Sequence, residues 1–332
     1  MRRSMAAALI LTVLLFGGAY LTTGGSAAQE PESGDDTAQE PPGQGRRDST
    51  VLLTVQDGDT AEEMALDAYL RGVVRGEMPA SFETEALRAQ AAAERTYVYH
   101  QLAAGRKEKH PEADVCTDHT CCSAFLSEQA AREKWGGDYD PWEARIEQAV
   151  AETDGQAVLY GGQPILAVFH SSSAGKTAAA EDVWSGELPY LKSVDSPENE
   201  DSVPNYYSVV AFTAEEAKAK LLAARPALKL NGTPKDWLGT ITENSSGRVE
   251  TLELGGETWK GTEVRSAFGL RSACFTAEAD GESLTFRVTG YGHGVGMSQY
   301  GANQLAKKGK TWREILEWYY AGVTVGPYGG NA

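Results

Sequence analysis

Residues 69–99, YLRGVVRGEMPASFETEALRAQAAAERTYVY, decide the central part of the fold. Two helices are predicted here and are separated at Met78-Pro79, because proline donates no backbone hydrogen bond and disfavours helical geometry in the preceding residue. Apolar side chains recur at helical spacing before the break, and Glu77 falls on the same stripe. The pattern therefore predicts a carboxylate at a core-facing position on the last turn of the first helix.

The second helix is expected to begin near Ser81 or Thr84, since both residues are suitable N-caps. Further along this helix, Arg88 and Arg95 share one face with small side chains. A buried acid next to an arginine-bearing helix is a plausible acid–base site. The residues alone favour a plainer interpretation, in which a partly exposed glutamate ends the first helix and the arginines are solvated.

Four segments resemble the stage II sporulation protein D family, also called the SpoIID/LytB domain family, and they follow the family's order. They are GVVRGEMPASFETEALRAQAAAERTYVY (72–99), ILAVFHSSSAGKTAAAEDVW (165–184), LPYLKSVDSP (188–197) and YGHGVGMSQYGANQLAKKGKTWREILEWYYAGV (291–323). The resemblance implies a peptidoglycan lytic transglycosylase that cleaves septal glycan strands during engulfment in sporulation and prefers strands without stem peptides. It also implies a septal amidase and a membrane protein as partners.

We expect an α+β fold over residues 51–328, forming a single catalytic domain of mixed helices and antiparallel strands with a central cleft. The segments QAVLYG and QPILAVFH are predicted to be strands joined by a hairpin turn at Gly161-Gly162. The glycines of YGHGVG (291–296) predict a loop with positive φ angles and close backbone approach.

The resemblance places the catalytic acid at Glu77 and puts Arg88 and Arg95 in the cleft. Substrate contacts are implied for Ser171, Ser172, Ser173, Lys176, Thr177, His293 and Gln299. By composition alone the SSSAGKT segment is a polar turn, and His293 has equal weight as a structural hydrogen-bonding residue. Because direct pairing with Glu77 would lower the pKa of that acid, Arg95 is expected to contact substrate or a separate carboxylate.

The proposed chemistry needs one carboxylate, whereas a hydrolytic glycosidase needs two. The acid protonates the bridging oxygen, and its conjugate base then removes a proton from the sugar's own C6 hydroxyl, which closes a 1,6-anhydro ring. Burial on an apolar stripe would raise the pKa of Glu77 and keep it protonated for the first step. No cofactor is expected for this reaction.

The segment RKEKHPEADVCTDHTCCSAF (106–125) holds three of the four cysteines and two of the five histidines. Thiolate and imidazole are ligands that tetrahedral zinc prefers, although the spacing matches no standard zinc finger. Some members of the family carry zinc here, and the resemblance implies a structural site formed by His110, Cys116, Cys121 and Cys122. His119 would then be a bystander or a substitute ligand. The alternative is a disulfide between Cys116 and either Cys121 or Cys122, which suits an exported chain.

The amino terminus predicts export. Arg2 and Arg3 precede an uncharged, largely apolar run that is marginal but adequate to cross a bilayer, and this arrangement favours an amino terminus inside the cell. We expect a single-pass membrane anchor over residues 1–25, a disordered linker over 26–50 and an extracytoplasmic catalytic domain. A cleaved signal peptide is the alternative.

The net charge of −17 argues against nucleic acid as a partner, because phosphate binding needs clustered cations. It also provides no attraction to anionic lipids or acidic wall polymers, so a neutral glycan strand is a more compatible substrate.

Other functions remain open from the sequence. A non-catalytic glycan-binding amidase enhancer, as described for part of the same superfamily, would keep the cleft but would not need Glu77. A zinc hydrolase would need an open metal position. A serine nucleophile in the SSSAGKT segment is disfavoured, because no G-x-S-x-G motif is present.

Overall fold

The structure, a computed structural model, describes residues 47–184 and 186–329. The predicted anchor (1–25) and most of the predicted linker (26–50) lie outside these residues. Within the described part of the chain, no helix is both long and apolar enough to cross a membrane. The end of the predicted linker is corrected, because Asp48–Thr50 form a short 3-10 helix in which the Asp48 side chain is buried.

The described residues contain ten α-helices, of which the first two are the pair predicted around Met78-Pro79. They are α1 (Leu66–Glu77), α2 (Thr84–Ala104), α3 (Glu128–Trp135), α4 (Tyr139–Glu152), α5 (Ala180–Val183), α6 (Ala214–Ala224), α7 (Pro234–Trp237), α8 (Gly261–Phe268), α9 (Gln299–Lys307) and α10 (Trp312–Tyr319). Helix α1 ends where predicted, because Met78 before the proline is extended, with φ and ψ of −123° and 136°. Helix α2 begins at Thr84, one of the two predicted starts, with Glu83 as N-cap.

The strands of the described residues form small sheets. They are β1 (Leu52–Asp57), β2 (Thr60–Ala65), β3 (Val115–Cys116), β4 (Gln156–Tyr160), β5 (Gln163–Pro164), β6 (Phe169–His170), β7 (Tyr207–Thr213), β8 (Leu238–Glu243), β9 (Val249–Leu254), β10 (Glu257–Lys260), β11 (Phe275–Ala279), β12 (Ser283–Thr289), β13 (Met297–Ser298) and β14 (Thr324–Pro327). The strand orders are β2-β1-β3, β14-β4-β5, β13-β6, β11-β12-β7 and β10-β9-β8.

The mixed α+β class with antiparallel sheets is confirmed. Only the short β1–β3 and β6–β13 pairings are parallel among the described strands. The hairpin predicted at Gly161-Gly162 joins β4 to β5, and both glycines have positive φ, 58° and 81°. The segment QPILAVFH is not one strand, since only its two ends are extended, as β5 and β6.

Two apolar clusters form the interior. The first surrounds α1 and α2 and includes Leu70, Val73 and Leu87, all fully buried. The second lies within residues 212–288 and is rich in aromatic side chains such as Trp259 and Phe286. Arg248, just before β9, donates a hydrogen bond to the Lys176 carbonyl at 3.0 Å. This bond connects the region of the second cluster to the loop that follows β6.

Two glycines let a loop lie directly on the end of α1. A Cβ atom on Gly76 would lie 2.5 Å from the Ala124 carbonyl oxygen, and one on Gly72 would overlap the Phe125 ring. The Leu126 amide donates to the Gly72 carbonyl at 2.9 Å. The close approach brings the carboxyl end of the cysteine-bearing segment beside Glu77.

The glycine-rich loop before α9 also has the predicted conformation. Gly292, Gly294 and Gly296 have φ angles of 114°, 86° and 72°, which are accessible to glycine at little cost. A Cβ atom on Gly292 would collide with the His170 side chain. This loop therefore packs tightly against the end of β6 and forms part of the cleft wall.

Candidate active site

Glu77 is the last residue of α1 and lines a cavity of about 640 Å³. Its side chain is half-buried, and its Oε1 atom accepts a hydrogen bond from the Ala124 amide at 2.6 Å. The position of this carboxylate follows from the proline-enforced end of α1 and from the loop packed on Gly76. Glu77 therefore faces a groove from a partly desolvated wall.

Burial raises the pKa of Glu77 above its ordinary value. Three groups oppose this shift by stabilising the charged form: the Ala124 amide, the Gln299 side-chain amide and the imidazole of His119. The Gln299 nitrogen approaches the carboxylate without completing a hydrogen bond of standard geometry, so the Ala124 contact is the stronger of the two. A raised pKa suits a group that must donate a proton near neutral pH.

Glu94, on α2, is a second carboxyl group behind the first. Its side chain is fully buried, and it accepts hydrogen bonds from Gln90 and from the Ser123 hydroxyl, each at 3.0 Å. Burial, and then the negative charge of Glu77, raise the pKa of Glu94 well above its ordinary value. The two acids are thus held by neighbouring residues of one loop, Ser123 and Ala124, and the pKa of Glu94 is raised further than that of Glu77.

The remaining wall of this cavity is built from aromatic, imidazole and polar side chains. Those that face it are Tyr97, His119, Phe169, His170, Ser171, Arg265, Tyr291, His293 and Gln299. Among the described lining residues, Glu77 is the only acid and Arg265 is the only arginine. The cavity thus combines one proton donor with several flat surfaces that can stack on sugar rings.

A second cavity of about 490 Å³ lies on the other side of Glu77 and shares Gly76 and Glu77 with the first. Trp135 and Trp142 line it with their ring centroids 5.5 Å apart and edge to face. Glu77 is again the only acid among the described lining residues. The carboxylate therefore lies between two cavities, each with aromatic surfaces.

The predicted cleft position of Arg88 and Arg95 is wrong. Arg95 is fully buried and binds Asp48 at 2.6 Å, with a further hydrogen bond to the Thr153 hydroxyl at 3.1 Å. Arg88 pairs with Glu85 and Glu152 outside the cleft. The stated alternative for Arg95, a separate carboxylate partner, is confirmed; pairing with Asp48 at the start of the folded chain could not be foreseen from helical spacing.

The SSSAGKT segment is mostly structural. Ser172, Ser173 and Thr177 are buried, and Thr177 exchanges hydrogen bonds with the backbone of Val194. Lys176 is exposed and lies 4.0 Å from Asp195. Of the five residues predicted to contact substrate here, the cavity wall includes Ser171 alone.

A serine–histidine pair does occur in this segment. His170 Nδ1 donates to the Val295 carbonyl at 3.2 Å, which leaves Nε2 to accept from the Ser173 hydroxyl at 2.7 Å. However, Ser173 is only 1% exposed, and its backbone amide donates to Glu198 at 2.6 Å. A nucleophile needs access to its substrate, so this pair is an internal brace.

His293 lines the cavity, as expected of a cleft residue. Its Nδ1 accepts from the Val295 amide at 3.1 Å, and its ring lies 5.3 Å from that of Trp184. Burial lowers the pKa of His293 to about 4, with Arg265 as the next cause. The imidazole is therefore neutral at physiological pH and can serve as a hydrogen-bonding surface.

The cysteine-bearing segment forms a compact donor cluster. The ligand atoms of His110, Cys116, Cys121 and Cys122 all lie within 4.8 Å of one another. His110 Nδ1 donates to the Ala113 carbonyl at 2.9 Å, which leaves Nε2 facing the Cys122 sulfur at 3.4 Å. All four cysteines of the chain are free thiols. One imidazole, whose tautomer is fixed by the Ala113 carbonyl, and three thiols fit a tetrahedral zinc ion.

Sequence reasoning missed four cleft features: Glu94, Tyr97, Arg265 and the two tryptophans of the second cavity. No sequence signal marked Arg265, because it belongs to α8, which lies outside all four matched segments.

Comparison with known proteins agrees with the resemblance. A family profile described as stage II sporulation protein matches residues 55–160. The chain is 39% identical over 267 residues to stage II sporulation protein D of Bacillus subtilis (strain 168), covering 80% of this chain and 76% of that protein. It is 38% identical to stage II sporulation protein D of Bacillus amyloliquefaciens, covering 80% and 75%. The amidase enhancer of Bacillus subtilis is 27% identical, covering 78% of this chain and 40% of that protein.

Proposed function

Because the chain belongs to the stage II sporulation protein D family, we propose that it is a lytic transglycosylase that cleaves peptidoglycan glycan strands. Glu77 acts as its acid and base. The observation that carries this proposal is the position of one carboxylate, with a raised pKa, between two cavities whose described lining residues include no other acid.

A single accessible carboxylate favours intramolecular transfer over hydrolysis. Two-carboxylate glycosidases need a second acid that flanks the bond. Glu94 cannot take that role, because it is fully buried behind Glu77 and bonded to Gln90 and Ser123. A mechanism in which one group first gives and then accepts a proton requires only Glu77.

Atoms and charge balance in the proposed reaction. Glu77 gives its proton to the bridging oxygen as the bond from that oxygen to C1 breaks. The C6 hydroxyl oxygen of the same muramic acid bonds to C1, and its proton passes to the Glu77 carboxylate. The products are a strand with a free hydroxyl, a 1,6-anhydro end and the acid in its starting form, so no water is consumed.

The test is mass spectrometry of the products released from purified glycan strands by the wild type and by Glu77→Gln. General acid catalysis contributes about 10²- to 10⁴-fold, so the variant should release anhydro-ended products at least ~100-fold more slowly. Circular dichroism and thermal unfolding should match the wild type. If Glu77→Gln released anhydro-ended products as fast as the wild type, Glu77 would not be the acid. If the products carried reducing ends formed by hydrolysis, the transglycosylase reaction would be excluded.

The second candidate is a non-catalytic amidase enhancer, which the similarity to the protein of that name supports. It predicts that the wild type stimulates a cell-wall amidase and that Glu77→Gln stimulates it equally well. The same variant therefore separates the two functions in one preparation.

We also propose that His110, Cys116, Cys121 and Cys122 hold a structural zinc ion. The four protein donors support this assignment because a tetrahedral ion would have no open position for substrate. The ion would fix the segment that continues into Ser123 and Ala124.

Membrane anchoring through residues 1–25, exposure of the catalytic domain outside the cytoplasm, and action with a septal amidase and a membrane partner belong to the same proposal. The uncharged amino-terminal run after Arg2 and Arg3 supports the anchor. Fractionation of cells that express the full chain tests it: recovery in the soluble fraction would contradict the anchor.

A further inference from the structure

Arg265 is a half-buried cation in the cleft without an anionic partner. It lies on α8 and lines the cavity that contains Glu77. Its Nε donates to the Leu270 carbonyl at 3.3 Å, and none of the acids in the described part of the chain forms an ion pair with it. Arg225, which packs near the same helix, instead pairs with Glu257 and Glu263.

The free protein leaves the charge of Arg265 uncompensated. Burial lowers the pKa of this guanidinium, and the nearby group that favours its charged form is the phenol of Tyr291. Desolvating a cation is costly unless an anion pairs with it. An anionic group of a ligand would supply the missing partner.

Arg265 is placed to bind such a group without disturbing the acid. Arg265 lowers the pKa of His293 and is not among the groups that shift the pKa of Glu77. The guanidinium therefore lies on the Tyr291–His293 side of the cavity. A ligand that contacts both Glu77 and Arg265 must therefore carry its anionic group beside the glycosidic bond that breaks, and not at that bond.

Building on the proposed function, we infer that Arg265 binds the free lactyl carboxylate of a muramic acid residue adjacent to the scissile bond. On a strand with stem peptides this carboxyl is tied up in an amide and carries no charge. Removal of the peptide leaves a free carboxylate, which a guanidinium binds through two parallel hydrogen bonds. Arg265 thus selects glycan strands that lack stem peptides. At this subsite the protein binds an anionic group, even though the protein as a whole has a net charge of −17.

The experiment measures binding in the full-length Glu77→Gln protein, in which turnover is blocked, with and without Arg265→Gln. The ligands are a peptide-free peptidoglycan tetrasaccharide, the same tetrasaccharide with its lactyl carboxyls converted to carboxamides, the peptide-bearing form, and chitotetraose, which has no lactyl group. Arg265→Gln should weaken binding of the first ligand about tenfold. It should leave the dissociation constants of the other three unchanged, and Arg265→Lys should restore part of the loss.

Arg287→Gln is the matched control, because this side chain is 58% exposed and pairs with Glu278 on the surface. Equal weakening for all four ligands, or an unchanged constant for the free carboxylate, overturns the inference. Loss confined to the peptide-bearing form also overturns it and assigns Arg265 to a stem-peptide carboxylate. The two proposals can fail separately, because binding is measured without turnover. If the wild type formed no anhydro ends, the transglycosylase reaction would be refuted, whereas the measured binding of the carboxylate by Arg265 would still hold.

Discussion

The Ala124 amide donates a hydrogen bond to Glu77 Oε1 over 2.6 Å. This contact joins the last residue of α1 to the segment that carries all four candidate zinc ligands. The neighbouring Ser123 hydroxyl binds Glu94 in the same way at 3.0 Å. Two residues of one loop thus position the half-buried acid Glu77 and the fully buried acid Glu94, so disorder of that loop should affect both side chains.

Gly76→Ala should reduce activity through this loop. The new Cβ would lie 2.5 Å from the Ala124 carbonyl oxygen, so the backbone that holds Glu77 must move. Overpacking of this kind costs about 1–3 kcal/mol, measurable by urea unfolding, and the release of anhydro ends should fall with it. Gly137→Ala is the control, since a Cβ there meets no atom within 4 Å. Equal behaviour of the two variants would contradict the steric argument.

Zinc content should distinguish the candidate ligands. Cys121→Ser should lose the metal, and His119→Ala should keep it, because the sulfur of Cys121 belongs to the donor cluster whereas His119 is 77% exposed beside it. Metal analysis of the purified proteins measures this directly. A strong chelator should lower the melting temperature and the activity of the wild type together, as expected for a structural ion. Activity lost at an unchanged melting temperature would instead favour catalytic zinc.

Asp48→Ala should destabilise the protein strongly. It would leave Arg95 buried without its carboxylate, and removing one partner of a buried pair costs about 3–5 kcal/mol. Glu152→Ala breaks the ion pair with Arg88 at a side chain that is 40% exposed, so it should cost about 1 kcal/mol or less. Urea unfolding of the two variants provides the comparison. A similar cost for both would contradict the buried role of Asp48.

Glu94→Gln should change the pH dependence of stability. A carboxyl group whose folded pKa lies above its unfolded value stabilises the fold below the unfolded pKa, and this stability is lost as the pH rises through the folded pKa. The variant cannot ionise, so its stability relative to the wild type should increase as the pH rises from the unfolded pKa of a glutamate, about 4, toward the folded pKa of Glu94, by about 1.4 kcal/mol for each unit of pKa shift. Unfolding measured across this range tests the prediction, and a constant difference would contradict it.

The rate of glycan cleavage should depend on the protonation of Glu77. Because burial raises the pKa of this acid, the active protonated form persists to higher pH than for an exposed glutamate and is lost as the pH rises through that value. The measured kcat/KM should therefore fall on the alkaline side. His119→Ala removes a group that lowers the pKa of Glu77, so the alkaline limb should shift upward. A shift in the opposite direction would exclude this electrostatic coupling.

Local rules were enough for several features. The helix break at Met78-Pro79, the hairpin at Gly161-Gly162 and the positive φ angles of the glycine loop all follow from the preferences of proline and glycine. The start of α2 at Thr84 was predicted from the residues that favour helix amino termini. These preferences act within a few residues, so they can be read without knowing the rest of the chain. The family could also be recognised, because four long segments retain their order.

The cleft itself depends on contacts between distant parts of the chain. Asp48 meets Arg95 across 47 positions, and Ala124 meets Glu77 across the same separation. Helical spacing puts Arg95 on a face of α2 but says nothing about what covers that face, so the predicted substrate contact became an internal ion pair. For the same reason the roles of two further residues could be recognised only in the tertiary structure. Packing buries Glu94 behind Glu77, and it brings Arg265 into the groove.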